Sequence, residues 1–279
     1  MPAGNLYLVP VPIGNLRDIT LRALEILRKV EIIAAEDTRN TRSLLSHYQI
    51  KSGRLISLHK YNEKKRIPEI LELLEQGKDI AVVSDAGSPG ISDPASLLVQ
   101  EAIDHQINII PLPGATAIIP ALTASGFNTE SFLFLGFLPL TNKHRKEKLT
   151  LIKNSIHTVI LYEAPHRIKR TLTELSEYID NRRICLAREI TKIYEEFIRG
   201  NIQDIITNFN IKEKGEFVIV IEGKMRSEQI DRTEINQYIE ELLGQGLSSK
   251  TIAQMVANRF RISANSAYSM VLKLKGGNL

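Results

Sequence analysis

The sequence predicts an α/β fold with two sheet domains and a small helical tail. In the first part of the chain, short apolar runs alternate with segments of helical periodicity, which is typical of a parallel sheet covered by helices. After a joint rich in Pro, Gly and small residues, 111–127, the apolar runs follow one another with fewer helices between them. We therefore expect an N-terminal domain over 1–117, a domain with a mixed sheet over 118–223, and a charged linker with a helical tail over 224–279.

Five apolar runs in the first domain are predicted strands, namely 6–11, 32–35, 55–58, 80–83 and 107–111. Four helices are expected between them: one capped by Thr20, one near 41–48, one from about 65 to 75, and one over 95–104. Asp93 followed by Pro94 is a typical helix start. We expect Asp93 to be the N-cap of the fourth helix.

Five further runs in the second domain are predicted strands, namely 132–137, 158–162, 184–187, 195–199 and 216–222. A parallel crossover needs about a dozen residues or more. The run 195–199 follows its predecessor too closely for that. This spacing predicts a mixed sheet.

Composition excludes several classes of protein. The 279 residues are 43% apolar and 24% charged, which is ordinary for a soluble globular protein, and no run approaches a membrane span. No export signal is recognisable at the N-terminus. The single cysteine, Cys185, cannot form an internal disulfide, so a reducing cytoplasm is the simplest expected location.

Several common cofactor and nucleophile motifs are absent from the sequence. It contains no P-loop, no GxGxxG after the first strand and no GxSxG elbow. Its six histidines and one cysteine lack metal-ligand spacing, so no metal is expected.

The positive charge is concentrated at the C-terminus. Residues 247–279 contain five basic residues and no acidic one, while the rest of the chain is nearly neutral. Two short helices with Ser-rich starts are expected there, resembling a helix-turn-helix that would bind an anionic partner. A three-helix cap with no nucleic-acid role is the open alternative.

Three Gly-containing loops follow predicted strands, where ligands gather in an open parallel sheet. They read PVPIGN (10–15), SDAGSPGISDP (84–94) and PGATA (113–117). Polar segments follow other strands, namely AEDTRNTR, SLHKYNEKKR, YEAPHR and LAREITKIYEE. Their Lys, Arg, Tyr and His side chains suit phosphates and bases of a nucleic acid.

The order and spacing of these motifs resemble those of a family of enzymes, the bacterial small-subunit ribosomal RNA ribose-2′-O-methyltransferases of the tetrapyrrole-methylase superfamily. The resemblance also includes the segments LYLVPVPIGNLRDIT, GFLP and LAREITKIYEEFIRG. The resemblance extends from about Asn5 to Gly223. It implies two α/β domains with S-adenosylmethionine between them, and a homodimer. The cofactor contacts that it implies are Pro12, Ala86, Gly87, Ser88, Ile91, Thr116, Ala117, Glu163 and Ile190.

The implied acceptor is a cytidine ribose in the decoding region of 16S ribosomal RNA within the small subunit, with no DNA or membrane partner. We expect Asp37, Glu63 and Lys192 as catalytic or substrate-side residues. The candidates for a general base are Glu36, Asp37, His59, Asp85, Glu163 and Glu189. Expected RNA contacts are Arg39, His59, Lys60, Tyr61, His166, Arg167, Arg188, Lys250, Arg259 and Lys273.

Two alternatives remain at this point. One is a small-molecule methyltransferase acting on a tetrapyrrole, against which Ser88 counts, because tetrapyrrole members carry an acidic residue there. The other is a non-catalytic RNA-binding protein that keeps the fold.

Overall fold

The computed structural model describes residues 2–51, 53–224, 232–260 and 262–276. The chain divides into two compact units, Met1–Gly223 and Lys224–Leu279. Most of the charged linker expected after Gly223 lies outside the described residues, as does Arg261.

Five parallel strands form the first sheet of the larger unit, as the alternating pattern predicts. They are β1 (Asn5–Leu8), β2 (Ile32–Ala35), β3 (Arg54–Ser57), β4 (Ile80–Val83) and β5 (Asn108–Pro111), in the spatial order β3-β2-β4-β1-β5. Successive residues of a strand face opposite sides of the sheet. Leu6 therefore packs into one apolar cluster and Tyr7 into the other, so both faces are buried.

Four helices cover this sheet, and they are α1 (Leu21–Lys29), α2 (Thr38–His47), α3 (Glu63–Glu75) and α4 (Ser96–Asp104). Thr20 caps α1 as expected, its hydroxyl accepting the Ala23 amide at 3.0 Å. The expectation that Asp93 caps α4 is wrong. Ala95 occupies that position in a left-handed conformation, with φ of 116°, and no side chain of its own caps the helix.

A second, mixed sheet follows, which confirms the expectation from strand spacing. Its strands are β6 (Phe132–Phe137), β7 (Thr158–Glu163), β8 (Arg183–Arg188), β9 (Glu196–Asn201) and β10 (Phe217–Ile221), in the order β6-β7-β10-β8-β9. Only β6 and β7 pair in parallel, and the closely spaced β8 and β9 are antiparallel. One face is covered by α6 (Asn142–Asn154), α7 (Ile168–Tyr178) and α8 (Ile202–Asn208).

The opposite face of the second sheet packs against α5 (Ile118–Ser125), a helix that the sequence analysis treated as part of a joint. Pro120 lies in its first turn, where the missing N–H costs no helical hydrogen bond. Ala121 and Leu122 are buried against the sheet, so this small-residue segment connects the two halves of the larger unit.

The smaller unit contains α9 (Arg232–Gly244), α10 (Ser249–Phe260) and α11 (Ala264–Gly276) among its described residues. Ile235, Ile252 and Val271 contribute to its own apolar core. Ser248 and Ser263 cap the second and third helices by accepting the amides of Thr251 and Ser266. The described residues of this unit form three helices, and the last two are the pair that the Ser-rich starts predict.

Candidate active site

A cavity of about 340 Å³ opens within the larger unit, between loops of the first sheet and strand ends of the second. Eight of the nine residues expected to bind the cofactor line it: Ala86, Gly87, Ser88, Ile91, Thr116, Ala117, Glu163 and Ile190. Pro12 lines a neighbouring cavity of about 420 Å³, which shares Ile13 and Ala86 with the first. The structure thus brings most of the expected cofactor residues together.

The turn after β4 is held against the loop after β1 by its backbone. Val11 and Gly87 exchange two backbone hydrogen bonds of 2.9 Å each. Gly87 has a φ of +75°, a conformation that other residues adopt only with strain. A glycine at this position lets the backbone itself form the cavity wall.

The charge of the cavity lining suits a cationic ligand. Among the described residues that line it, none is a lysine, arginine or histidine, whereas Asp93, Glu163 and Glu216 are carboxylates. Apolar side chains, including Ile13 and Phe137, form much of the remaining wall. A sulfonium fits this lining, whereas a phosphate group would meet negative side chains and no positive one among the described lining residues.

Glu163 is buried and held by hydrogen bonds. One carboxylate oxygen accepts the Thr171 hydroxyl at 2.6 Å, and the other accepts the Ala164 amide at 2.8 Å and lies 3.1 Å from Arg167 Nε. Thr171 in turn accepts from the buried Arg145, 3.0 Å away. Glu163 is therefore fixed in the cavity wall by α7 and α6.

Lys192 lies beside the cavity rather than in its lining. Its ammonium contacts Glu189 at 2.9 Å and Glu216 at 3.1 Å. Partial burial acts to lower the pKa of Lys192, but the hydrogen bonds with these two carboxylates outweigh it and raise the pKa. A Cβ on Gly14 would meet the Lys192 stem at 2.4 Å, so the loop after β1 packs directly on this lysine.

The other two residues expected in catalysis have structural partners. Asp37 caps α2 through the Arg39 amide and pairs with the Arg39 guanidinium, whose hydrogen bonds lower the pKa of Asp37 to about 2. A carboxylate with so low a pKa is a weak base. Glu63 is buried away from the cavity and accepts the amides of Ala95 and Leu98 at the start of α4, contrary to the expectation that it faces a substrate.

Three acids that the sequence analysis did not place in the cofactor cavity are part of this region. Asp93, Tyr162 and Glu216 line the cavity. Asp93 belongs to the motif SDAGSPGISDP and Tyr162 to the motif YEAPHR, in which other residues were expected to bind the cofactor. Burial raises the pKa of Tyr162 to about 12, although a hydrogen bond with Thr116 opposes the rise. The tyrosine hydroxyl is therefore protonated at neutral pH and available as a donor.

Some of the residues expected to contact RNA have exposed side chains, and others form ion pairs within the fold. Lys60, Tyr61 and His166 are exposed, and the Lys60 ammonium lies 4.9 Å from the centre of the Tyr61 ring. Arg39 is exposed but paired with Asp37. His59 is half-buried, and its Nδ1 has no hydrogen-bond partner among the described residues.

Two of the residues expected to contact RNA form ion pairs with other residues of the fold. Arg167 pairs with Glu163 and donates to the Leu138 carbonyl at 2.7 Å. Arg188 is buried and pairs with Glu196 at 3.0 Å. Both guanidinium groups thus stabilise the second sheet and its loops, contrary to the expectation that they face an RNA.

In the smaller unit, the three expected RNA contacts Lys250, Arg259 and Lys273 are exposed. The Arg259 guanidinium lies over the Tyr238 ring at 4.2 Å. Arg259 also lies 4.0 Å from Glu234, so part of its charge is balanced locally.

Within the described parts of the chain, no set of three or more His, Cys, Asp and Glu side chains is arranged to hold a metal ion. No helix in those parts has the length and apolarity to cross a membrane.

Comparison with known proteins assigns the chain to a family. The family described as Tetrapyrrole (Corrin/Porphyrin) Methylases matches residues 5–206. Ribosomal RNA small subunit methyltransferase I of Bacillus subtilis is 43% identical over 262 residues, which cover 91% of this chain and 89% of that protein. The proteins of the same name from Synechocystis sp. and Haemophilus influenzae are each 43% identical, and cover 98% and 96% of this chain and 99% and 96% of their own lengths.

The chain belongs to the tetrapyrrole methylases. Within them, it falls in the ribosomal RNA small subunit methyltransferase I family, and it is an S-adenosylmethionine-dependent methyltransferase. This assignment agrees with the family resemblance of the sequence motifs.

Solved structures share the fold at low sequence identity. The methyltransferase CobJ superposes with a TM-score of 0.61 at 19% identity, covering 79% of this chain and 95% of that one. Uroporphyrin-III C-methyl transferase from Thermus thermophilus, complexed with S-adenyl homocysteine, has a TM-score of 0.54 at 14% identity and covers 78% and 97%. These similarities establish the tetrapyrrole-methylase fold of the larger unit.

Proposed function

We propose that the chain transfers a methyl group from S-adenosylmethionine to the ribose 2′-hydroxyl of a cytidine in the decoding region of 16S ribosomal RNA, within the small ribosomal subunit. The family assignment carries this proposal, because relatives named for small-subunit ribosomal RNA match more than nine-tenths of the chain. The choice of the 2′-oxygen and of a decoding-region cytidine rests on the resemblance of the loop motifs. Such an enzyme would act on ribosomes in the bacterial cytoplasm.

The cavity supports the cofactor part of the proposal. When bound, S-adenosylmethionine supplies a methyl group that is activated by a positively charged sulfur. The carboxylates of the lining would favour that charge, and Ile13 and Ile190 would exclude water from it. Because the Gly87 backbone and the Glu163 side chain are both fixed by hydrogen bonds, the site is ordered before the ligand arrives.

Exposed side chains support the RNA part of the proposal. Lys60 offers a cation for phosphates, Arg39 is exposed although it pairs with Asp37, and the Tyr61 ring is 84% exposed and free to stack on a base. A homodimer belongs to the proposal as well, and the exposed apolar side chains of Ile193 and Tyr194 support a self-association surface.

The test supplies methyl-labelled S-adenosylmethionine and the purified protein to small ribosomal subunits that lack this modification. Uroporphyrinogen without RNA serves as a parallel acceptor, and the labelled nucleotide is mapped. The proposal expects one labelled cytidine in the decoding region, with the methyl group on its 2′-oxygen. Label on uroporphyrinogen, or on a base rather than a ribose, would contradict it, and cofactor binding without transfer to any acceptor would favour a non-catalytic protein.

A further inference from the structure

Asp93 lines the cofactor cavity and does not cap α4, which is the role that its sequence context predicts. The Asp-Pro pair predicts a helix N-cap, but α4 begins three residues later, at Ser96. The half-buried Asp93 side chain instead belongs to the wall formed with Ile91 and Ser92. A carboxylate at the cavity that does not cap its helix is available for another purpose.

Glu63 performs the capping that Asp93 does not. Its carboxylate reaches from α3 to accept the amides of Ala95 at 3.0 Å and Leu98 at 3.3 Å. Two non-glycine residues in the loop have positive φ angles, 65° at Ser92 and 116° at Ala95. Strained backbone of this kind persists where the surrounding structure holds it, and it clusters at functional sites.

The other two carboxylates of the lining already form ion pairs. Glu163 is held by Thr171, Ala164 and Arg167, and Glu216 pairs with Lys192. For Asp93, no lysine, arginine or histidine of the described residues lies within ion-pairing distance. Asp93 is thus the carboxylate of the lining that can accept a proton without breaking an ion pair.

Its surroundings make Asp93 more basic than an ordinary aspartate. Burial raises the pKa of Asp93 to about 6, the carboxylates of Glu36 and Asp85 add to the rise, and a hydrogen bond with Ser84 opposes it. Tyr162 lines the same cavity from the second sheet and stays neutral at neutral pH. An acid with this pKa is largely ionised at neutral pH, yet it holds a proton better than Asp37 does.

We propose that Asp93 is the general base of the reaction and receives the proton of the attacking ribose hydroxyl. As the bond between the hydroxyl oxygen and the methyl carbon forms, the carbon–sulfur bond breaks and its electron pair stays on sulfur. The hydroxyl proton passes to the Asp93 carboxylate and from there to water. Glu63 is a positioning residue in this scheme, because it holds the α4 end of the Asp93 loop. The inference rests on the proposed function, since it needs a hydroxyl acceptor.

The test compares Asp93→Asn with Asp104→Asn, a matched control at the exposed end of α4. Turnover is measured at saturating small subunits and cofactor between pH 5 and 9, and the affinity for S-adenosylhomocysteine is measured by calorimetry. We expect Asp93→Asn to lose at least about 100-fold in kcat at pH 7.5, within the usual range for a general base, while the affinity changes less than about threefold. Wild-type kcat should rise with pH up to about pH 6 and then level off, and this limb should vanish in the variant.

A second readout needs no turnover. A raised pKa in the folded state means that protonation of Asp93 stabilises the fold, and that this contribution is lost as pH rises from 3.8 through about 6. Asp93→Asn should therefore melt at a higher temperature than the wild type above pH 6, and the difference should close near pH 4. Equal melting temperatures at both pH values would contradict the shifted titration on which the inference draws.

The outcomes separate the inference from the proposed function. If the wild type methylates the ribose and Asp93→Asn does so equally well, the inference fails and the proposed function stands. A parallel loss of turnover and of S-adenosylhomocysteine affinity would make Asp93 a cofactor ligand and overturn the inference. Absence of ribose methylation by the wild type overturns both.

Discussion

Replacing Glu63 by alanine tests whether a side chain of α3 holds the start of α4. Glu63 is 9% exposed, and one of its carboxylate oxygens accepts two amides of the first turn of α4. In Glu63→Ala those amides lose their acceptor in a buried place, because Ala95 at the N-cap position has no polar side chain. We therefore expect a local effect on α4 and on the loop that carries Asp93.

The structure sets the size of this effect. A hydrogen bond to a charged group contributes about 1.5–3 kcal/mol. Because the two bonds share one oxygen and water can enter part of the vacated space, we expect a total of about 2–4 kcal/mol rather than the full sum. At about 1.4 kcal/mol for each factor of ten, the α4 amides should exchange with solvent about 30 to 1,000 times faster, provided that they exchange by local opening.

Hydrogen–deuterium exchange of the intact protein measures this directly in peptides that cover 96–104. Glu72→Ala, an exposed substitution on α3, is the matched control, and Glu63→Gln retains an acceptor oxygen and should fall between the two. Unchanged protection of α4 in Glu63→Ala, relative to Glu72→Ala, would refute the assignment of Glu63 as the remote cap.

Three further predictions concern the cavity and its supports. Gly87→Ala and Gly126→Ala both place an alanine at a φ near +75° and should each cost about 1–2 kcal/mol of stability. Only Gly87→Ala should weaken S-adenosylhomocysteine binding in calorimetry, because Gly87 lines the cavity, whereas nothing lies within 4 Å of a Cβ on Gly126. Arg145→Ala removes a buried partner of Glu174 and Thr171 and should lower the free energy of unfolding in urea by about 3–5 kcal/mol, whereas the exposed Lys146→Ala should change it by less than about 0.5 kcal/mol. Asp37→Asn should leave the turnover limb near pH 6 in place, because the pKa of Asp37 is about 2; loss of that limb would transfer the role of base from Asp93 to Asp37.

The strands, and the parallel or mixed character of each sheet, were predictable because the physical signals for them are local. Both faces of the first sheet are covered, so β2 and β4 read as uninterrupted apolar runs. The short interval between β8 and β9 permits only an antiparallel pair. The helix α5 was missed because Pro120 and the flanking small residues resemble a loop in sequence, although they form a helix that packs on the second sheet.

The cofactor residues and the RNA contacts differ in how far a sequence can indicate them. Loops that contain glycine, such as the one at Gly87, are recognisable from the sequence alone. Because their motifs resemble those of a known family, the residues of the cavity could be predicted. Arg167 and Arg188 carry the right charge for RNA, but their charge is used by Glu163 and Glu196, which come from other turns of the fold. Sequence indicates where a cation occurs, and only the packed structure indicates whether its charge is available.

Asp93 and Glu63 illustrate the same limit for the proposed base. Local rules assign the cap to Asp93, since it precedes Pro94 and the periodic segment. The cap actually comes from a residue 30 positions earlier in the sequence, brought there by the crossover that carries the chain from α3 through β4 to α4. Because Glu63 satisfies the helix amides, the fold tolerates a half-buried carboxylate at Asp93 beside two others, Glu36 and Asp85, which an ordinary loop would avoid. The exchange of roles between two acids therefore accounts for two of the differences between the sequence analysis and the structure: the acid expected at the substrate stabilises a helix, and the acid expected at the helix lines the cavity.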